Sequence, residues 1–171
     1  METIMRYRIA DYYQLPGIGA TPGAFKFMGV GFTTLDENPA AQTDEKIYIH
    51  ERASTINVIS YQTTFPFEAD KISSEPVIED IYDIATRHYT GALATRQYVR
   101  METWRESTDV PGAYAARLFN VSVQVDSIAG PGGEVVVLGG NLNALGDPVI
   151  GIFNPETMKF TATATTPDEE I

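Results

Sequence analysis

The chain has 171 residues, of which 43% are hydrophobic and 11% aromatic, and this is enough apolar material for one domain with a buried core. It contains no cysteine and two histidines, which excludes disulfide frameworks, thiolate catalysis, zinc ribbons and iron-sulfur clusters. The formal charge is -11, from 12 basic and 23 acidic residues, so we do not expect binding to nucleic acid or to an acidic membrane surface.

The first third of the chain is predicted to be mostly irregular. Glycine and proline are concentrated between Leu15 and Gly23, so residues 1–24 are predicted to form an extended N-terminal arm. Residues 25–35 interleave aromatic residues with glycines and are predicted to form a strand. Residues 36–54 are polar, acidic and interrupted by proline, which predicts a long loop between strands.

A strand rich in β-branched and aromatic residues is predicted next, at residues 54–67. Strict alternation would place Ile56 and Val58 on one of its faces and Ile59 and Tyr61 on the other. Both faces of this strand are therefore predicted to carry apolar residues.

Residues 76–90 are predicted to form a helix. Apolar residues recur at steps of three and four from Val77 to Ile84, a proline begins the segment, and a glycine follows it. We expect Ser73 or Ser74 to cap the first turn, because a serine hydroxyl can accept from a free amide there. The helix has one apolar face and is expected to lie against a sheet.

The remainder of the chain has only strand patterns, followed by an acidic tail at residues 165–171. The clearest one begins at Leu118, where phenylalanine and valine alternate with polar residues, so one face is expected in the core and the other in water. Strands are predicted at residues 96–105, 118–126, 134–142, 149–153 and 158–164.

Many short strands, one helix and no βαβ rhythm together predict a mainly β fold in one domain over residues 1–171. The expected architecture is a β-sandwich or partly closed barrel with one flanking α-helix, a long polar loop and extended arms. We expect no signal peptide and no membrane span, because no run of about 18 apolar residues is present.

Three short patterns resemble functional motifs, and each lacks a required residue. The glycine-rich segment Gly17–Gly23 has its third glycine one place late for a dinucleotide loop. His50 and Glu51 begin like a zinc-protease helix, but Ser54 stands where the second histidine is needed. The acidic segment after Asp36 lacks the glycine and glutamate of a calcium-binding loop. We therefore predict no catalytic, metal or cofactor site, and no enzymatic activity.

Three segments, together with the order of the elements, resemble the major tail tube protein of long-tailed bacteriophages. They are residues 56–70, the helical segment from Glu75 to Tyr89, and residues 139–151, which contain Gly-Asn-Leu-Asn and Gly-Asp-Pro turns. The resemblance extends over most of the chain.

This resemblance implies a structural virion protein that assembles into stacked, hexameric rings and so forms the tail tube, the conduit for genome delivery. The implied partners are further copies of the chain, the tape-measure protein, the tail terminator and the distal tail or baseplate proteins, with a sheath only in a contractile tail. DNA would pass through without specific binding, and neither a cofactor nor a membrane is implied. The implied location is the phage tail, assembled in the cytoplasm of a bacterial host.

Two groups of polar residues are predicted to serve such an assembly. The first lies on the wet face of the clearest strand and is predicted to face the lumen: Asn120, Ser122, Gln124 and Asp126. The second lies in the long loop and is predicted to contact a neighbouring subunit or ring: Asp36, Glu37, Asp44, Glu45, Glu51 and Arg52.

The alternative is a non-enzymatic β-sandwich binding module or virion accessory domain, for example one that binds carbohydrate. Trp104 and the nine tyrosines could line a sugar site, although aromatic residues that alternate along a strand usually face a core or a subunit contact. Imaging of the purified protein separates the two, because only the first predicts rings or tubes.

Overall fold

A computed structural model describes residues 1–163. Within this range there is one α-helix, α1 (Pro76–Thr86), and there are short 3-10 helices at Arg6–Arg8 and Gly91–Ala94. The strands are β1 (Ile9–Gln14), β2 (Phe25–Phe27), β3 (Phe32–Leu35), β4 (Ala41–Lys46), β5 (Thr55–Tyr61), β6 (Thr64–Asp70), β7 (Thr95–Glu106), β8 (Tyr114–Ala129), β9 (Val137–Ala144), β10 (Val149–Asn154) and β11 (Lys159–Ala162).

Nine of these strands form one antiparallel sheet, which curls into a half-barrel. The main path runs β2-β1-β7-β8-β9-β6-β3, and β10 pairs with the first part of β8 and with β11. Strands β4 and β5 pair only with each other. The predicted fold class, mainly β with one flanking helix, is confirmed.

The sheet carries a core on each of its faces. The larger core lies under α1 and contains Tyr13 and Tyr98, whereas the smaller one contains Tyr12, Val99 and Phe153. Within β1, and likewise within β7, neighbouring residues pack into different cores, because successive side chains of a strand point to opposite faces of the sheet. Both faces of these central strands are therefore buried.

Apolar packing and one charged contact hold α1 on the sheet. Its buried side chains include Ile78 and Ile81, and Asp80 on the same helix accepts hydrogen bonds from the Arg96 guanidinium at 2.9 and 3.1 Å. The Tyr13 hydroxyl donates to Asp80 at 2.5 Å. Burial raises the pKa of Tyr13 well above its ordinary value and Asp80 adds to the shift, so the hydroxyl remains a donor.

The helix differs from its prediction at both ends. Glu75 is the N-terminal cap and makes no side-chain capping bond, so the predicted serine cap is wrong. Pro76 occupies the first turn, and its fixed backbone starts the helix one residue after Glu75, which leaves the serines outside it. The helix ends at Thr86 and not at residue 90, because His88 has a positive φ of 53° and turns the chain away.

The predicted N-terminal arm, residues 1–24, contains a central strand, so its description as an extended arm is wrong for residues 9–14. Strand β1 lies between β2 and β7, and Tyr13 is fully buried. The charge of Asp11 conceals this strand in the sequence, since a carboxylate is rarely buried unless it is paired. The glycine and proline residues after β1 form the loop to β2, closed by a hydrogen bond from the Leu15 amide to the Ala24 carbonyl at 3.0 Å.

Three other predicted segments contain more secondary-structure elements than the sequence indicates. The predicted loop over residues 36–54 contains β4, the predicted strand over 25–35 divides into β2 and β3, and the one over 54–67 divides into β5 and β6. Strand β4 has the sequence AQTDEK and no apolar face of its own, so the sequence pattern gives no strand signal there. The acidic tail predicted at residues 165–171 lies outside the described residues.

Candidate assembly interface

A two-stranded ribbon leaves the sheet between β3 and β6. The Asp36 amide donates to the Pro66 carbonyl, Asn38 and Thr64 exchange two backbone hydrogen bonds, and the Gln62 amide donates to the Ala40 carbonyl. Strands β4 and β5 continue the same antiparallel pairing outward. We call residues 41–61 the projecting arm and its end, residues 47–49, the arm tip.

A β-bulge sets which side chains share a face of the projecting arm. Tyr61 pairs with Ala41 and Val58 pairs with Thr43, and the register shift between them leaves Ile59 as the extra residue. Ala41 and Thr43 are two residues apart on β4 and therefore share a face, so Tyr61 and Val58 share that face as well.

The bulge gives the arm one apolar and one polar face. Ile56, Val58 and Tyr61 lie together with Ala41, Thr43 and Glu45 on what we call the apolar arm face. The prediction that Tyr61 lies opposite Ile56 and Val58 is wrong, because strict alternation ignores the bulge. The opposite face carries Gln42, Asp44, Lys46, Thr55, Asn57 and Ser60.

No part of the described chain covers the apolar arm face or the arm tip. Ile56, Val58 and Tyr61 are 63%, 54% and 59% exposed, and Ile49 at the tip is fully exposed. Monomeric proteins rarely leave such an apolar surface uncovered. The arm therefore has the character of a surface that another polypeptide covers.

A buried charged cluster fixes the root of the ribbon. Asp11 is 3% exposed and accepts from Arg6 at 2.7 Å, from Arg100 Nε at 2.9 Å and from the Tyr98 hydroxyl. Both arginines also donate to the Leu35 carbonyl, at 3.0 and 2.9 Å, at the end of β3. We call these five residues the root cluster, and it ties β1 and β7 to the start of the ribbon.

The phenol of the root cluster remains neutral. Burial raises the pKa of Tyr98 well above its ordinary value, and the Asp11 carboxylate raises it further. The neutral hydroxyl can therefore donate to Asp11, and together with the two arginines it compensates the buried carboxylate.

The predicted contact residues of the loop lie in different surroundings in the structure. Glu37 forms an ion pair with Arg117, with a distance of 2.7 Å between Oε1 and Nη1, at the root. Asp44 pairs with Lys46 at 3.1 Å on the polar face of the arm. The other predicted contact residues lie at the root and along the arm: exposed Asp36, exposed Glu45 on the apolar arm face, half-buried Glu51 and exposed Arg52.

Three of the predicted lumen residues, Asn120, Ser122 and Gln124, lie on one face of β8, and the fourth, Asp126, is the extra residue of a β-bulge next to them. Asn120, Gln124 and Asp126 are exposed and Ser122 is half-buried, while Phe119 and Val121 on the other face are buried. The split of this strand into a core face and a wet face is confirmed, and the lumen assignment stays a prediction.

Amide side chains link this wet face to the next strand. Asn143 of β9 donates to Gln124 Oε1 at 2.9 Å, and Gln124 donates to Asp126 Oδ1 at 2.7 Å. The three side chains are thereby joined by successive hydrogen bonds. The surface offers amide and carboxylate groups with no cation among these residues.

A cavity of about 450 Å³ opens between β1 and β3, beside the root cluster. Its apolar walls include Tyr7, Ile9, Phe27 and Phe32, and Arg6 lies at the same opening. The Arg6 side chain is 51% exposed although its guanidinium contacts Asp11. We call this feature the root cavity.

Features of other protein classes are not found in the described part of the chain. Over residues 1–163, no three His, Asp or Glu side chains come close enough to hold a metal ion. No helix in that range is long and apolar enough to cross a membrane.

Comparison with known proteins gives a likeness of fold. No family model matches the chain, and no curated protein sequence matches it. A chain from the cryo-EM structure of the PVC sheath/tube terminator, from an extracellular contractile injection system in its extended state, superposes with a TM-score of 0.56 at 9% identity. The match covers 88% of this chain and 97% of that one. A chain of the anti-feeding prophage baseplate covers 88% of this chain and 96% of its own length, with a TM-score of 0.47 and 9% identity.

Sequence reasoning missed the apolar arm face and the root cluster. The sequence marks Ile56, Val58 and Tyr61 as apolar strand residues, but strict alternation divides them between two faces. The short apolar run at residues 47–49, which forms the arm tip, lies within the predicted loop. Asp11, Arg6 and Arg100 are separated in the sequence and carry no motif, so their meeting depends on the pairing of β1 with β7.

Proposed function

We propose that the chain is a structural, non-enzymatic subunit of a phage-tail-like particle. Its copies assemble through the projecting arm into hexameric rings, and the rings stack into a hollow tail tube. The tape-measure protein, the tail terminator and the distal tail or baseplate proteins are its further partners, and a sheath is a partner only in a contractile tail.

The projecting arm is the observation that carries this proposal. A two-stranded hairpin is marginally stable by itself in water, and an exposed apolar face adds a tendency to associate. The arm meets both conditions, because β4 and β5 pair only with each other and Ile56, Val58 and Tyr61 are exposed. A neighbouring subunit that covers this face would stabilise the hairpin and bury its exposed apolar side chains.

The fold likeness supports the same class of function. The PVC structure contains a chain of this fold in a tail-like injection device, and that chain matches nearly along its whole length. In the tube that we propose, the wet face of β8 lines the lumen, with Asn120, Ser122, Gln124 and Asp126 toward the passing DNA. Amide and carboxylate groups there would not retain a polyanion.

Removal of the arm tests the proposal. Because Ala41 pairs with Tyr61, residues 42–60 can be replaced by Asn-Gly, which favours a two-residue hairpin turn. We expect the shortened protein to keep its circular dichroism spectrum and to sediment as a monomer, whereas the full chain forms rings or tubes in negative stain. Normal tubes from the shortened protein would contradict the proposal.

A matched pair of substitutions tests the role of the apolar arm face. Val58→Glu places a carboxylate on that face, and Asn57→Glu places the same charge on the polar face one residue away. We expect Val58→Glu to abolish tubes and Asn57→Glu to retain them. Equal behaviour of the two variants would show that the division into faces is irrelevant to assembly.

A terminator ring is the second candidate, because the PVC structure that gives the fold match describes a sheath/tube terminator. A terminator closes a tube and does not extend it. Purified full-length protein would then form single rings at every concentration, whereas a tube subunit forms stacks whose length grows with concentration. Isolated monomers at all concentrations would favour a binding module.

A further inference from the structure

We propose that the root cavity is the acceptor for the arm tip of a second copy of this chain. The inference rests on the proposed self-assembly, and it names the two surfaces that meet when one copy contacts the next. Each copy then donates its tip to one neighbour and accepts a tip from another.

The two surfaces are complementary in size and polarity. The cavity of about 450 Å³ lies within the range of sites that enclose small ligands, roughly 300 to 1,000 Å³, and it has room for several side chains. Its walls carry Phe27 and Phe32, and the tip presents Ile47, Tyr48 and Ile49. The chain thus carries an apolar protrusion and a recess with apolar walls that also include Thr33 and Thr34, and nothing in residues 1–163 covers either.

The electrostatic features agree with this pairing. The chain carries a net charge of -11, so contacts between copies need cations at the interface or an apolar surface without acidic groups. Arg6 lines the root cavity with half of its side chain exposed; its guanidinium already contacts Asp11, and Asp36 lines the same cavity. The arm tip carries no acidic side chain, and Glu51 lies two residues beyond it. A tip that enters the cavity would bring this carboxylate toward the guanidinium.

The tip of the same copy does not fill the cavity. Residues 47–49 are exposed and are absent from its walls. Thr33 and Thr34 of β3 line the cavity, and the ribbon runs outward from the end of that strand. Strand β4 (Ala41–Lys46) alone carries the chain roughly 17 Å along the ribbon, at about 3.3 Å per residue, and the tip lies beyond its end.

This separation of donor and acceptor determines the symmetry of the contact. The tip and the cavity are different surfaces of the chain, so the contact is heterologous, and repeated heterologous contacts give a closed ring or an open filament. If the rotation closes, the contact that covers the tip gives a ring, and the stacking of rings then requires a second surface of the chain.

Disulfide cross-linking tests the contact directly, because the natural chain has no cysteine. Thr34→Cys places one thiol in the cavity wall and Tyr48→Cys places the other at the tip. A disulfide forms only if their Cα atoms approach within about 7 Å. As a control, Tyr48→Cys is combined with Thr108→Cys, which is exposed on the turn before β8.

Assembled protein is treated with oxidised glutathione and analysed on a non-reducing gel. We expect the Thr34/Tyr48 protein to give a ladder of covalent multimers, with cross-linked species on the order of tenfold more abundant than in the control. Circular dichroism of both double variants verifies that they fold. Mass spectrometry of the cross-linked peptides should identify the link between residues 34 and 48 of different chains.

The outcomes separate this inference from the proposed function. Tubes in negative stain without the 34 to 48 cross-link would overturn the inference and leave the tube proposal standing. The ladder without tubes would support the contact and contradict the tube. Absence of both would overturn both, and equal cross-linking in the control would also overturn the inference.

Discussion

Two β-hairpins of this chain differ in what covers them. In the hairpin of β8 and β9, Val121, Leu138 and Leu142 are fully buried under α1 and the neighbouring strands. In the projecting arm every residue of β5 is exposed, and its apolar side chains face outward. The two hairpins use the same residue types, so composition alone does not determine which one joins the core.

The difference lies in what the rest of the chain supplies to each hairpin. Strand β8 has partners on both edges and a helix on one face, so its apolar face is covered within the monomer. The arm has neither a third strand nor a helix, and no other part of residues 1–163 covers its apolar face. Under the proposed function, this contrast separates the residues that stabilise the fold from those that would serve assembly, and the following variants test this separation.

The largest effect is expected at the root cluster, which lies in neither hairpin and joins β1 and β7 to the start of the ribbon. Asp11→Ala leaves two arginines and a phenol without their buried acceptor, and removal of one partner of a buried ion pair costs about 3–5 kcal/mol. Urea unfolding should report this loss. Glu37→Ala, which breaks the half-exposed pair with Arg117, should cost about 1 kcal/mol or less. Equal losses of stability in the two variants would contradict the role of Asp11 as the buried acceptor of the root cluster.

The second effect compares equivalent truncations in the two hairpins. Leu142→Ala opens a cavity at a fully buried position and should lower the free energy of unfolding by about 2–5 kcal/mol. Ile56→Ala, on the apolar arm face, should change monomer stability by about 0.5 kcal/mol or less and should weaken assembly instead. Thermal unfolding and sedimentation of each variant measure both quantities. A large loss of monomer stability from Ile56→Ala would show that the arm belongs to the core.

The same contrast explains which strands, and which of their faces, can be predicted from the sequence. The alternation from Phe119 to Val125 predicts the buried and wet faces of β8 correctly, because one face is covered along the strand and side-chain polarity follows burial. Strand β1 is missed, since Asp11 interrupts its apolar pattern and its charge is compensated by residues distant in sequence. The face of Tyr61 is wrong because a bulge, which depends on the pairing of β5 with β4, shifts the period by one residue.

The candidate interface was predictable only in part. The polar composition of residues 36–54 is visible in the sequence, and it is the basis for the prediction of a contact element there. Its apolar arm face and the root cavity arise from strand register and from the packing of β1 beside β3, which no local pattern encodes.

A third prediction concerns the wet face of β8. Exchange of Gln124 and Asp126 for lysine adds cations to exposed positions, so we expect stability to change by about 0.5 kcal/mol or less and tubes to form. If this face lines the lumen, the cations would bind passing DNA, and ejection from particles carrying the variant should slow, most strongly at low salt. Gln124→Glu is the control and should not slow ejection. Unchanged ejection by the lysine variant at low salt would contradict the lumen assignment.

The last prediction separates the folding core from the arm by the pH dependence of their tyrosines. Tyr13 and Tyr98 lie in the core and root cluster, and burial raises the pKa of each well above its ordinary value, with Asp80 and Asp11 respectively adding to the shift. The pKa in the unfolded chain is about 10. Since the folded chain favours the neutral phenol, both groups contribute stability that is fully present below pH of about 10 and is lost as the pH rises toward the folded pKa.

Urea unfolding at a series of pH values from neutral upward should therefore give a free energy of unfolding that falls above pH of about 10. Tyr98→Phe removes one ionising group and one hydrogen bond, so it should lower stability at neutral pH by about 1 kcal/mol and flatten the alkaline decline. Tyr61→Phe on the exposed apolar arm face should follow the natural protein at every pH. An alkaline decline that Tyr61→Phe flattens and Tyr98→Phe does not would place the pH-sensitive phenol on the arm, and the division between a folding core and an assembly arm would then be wrong.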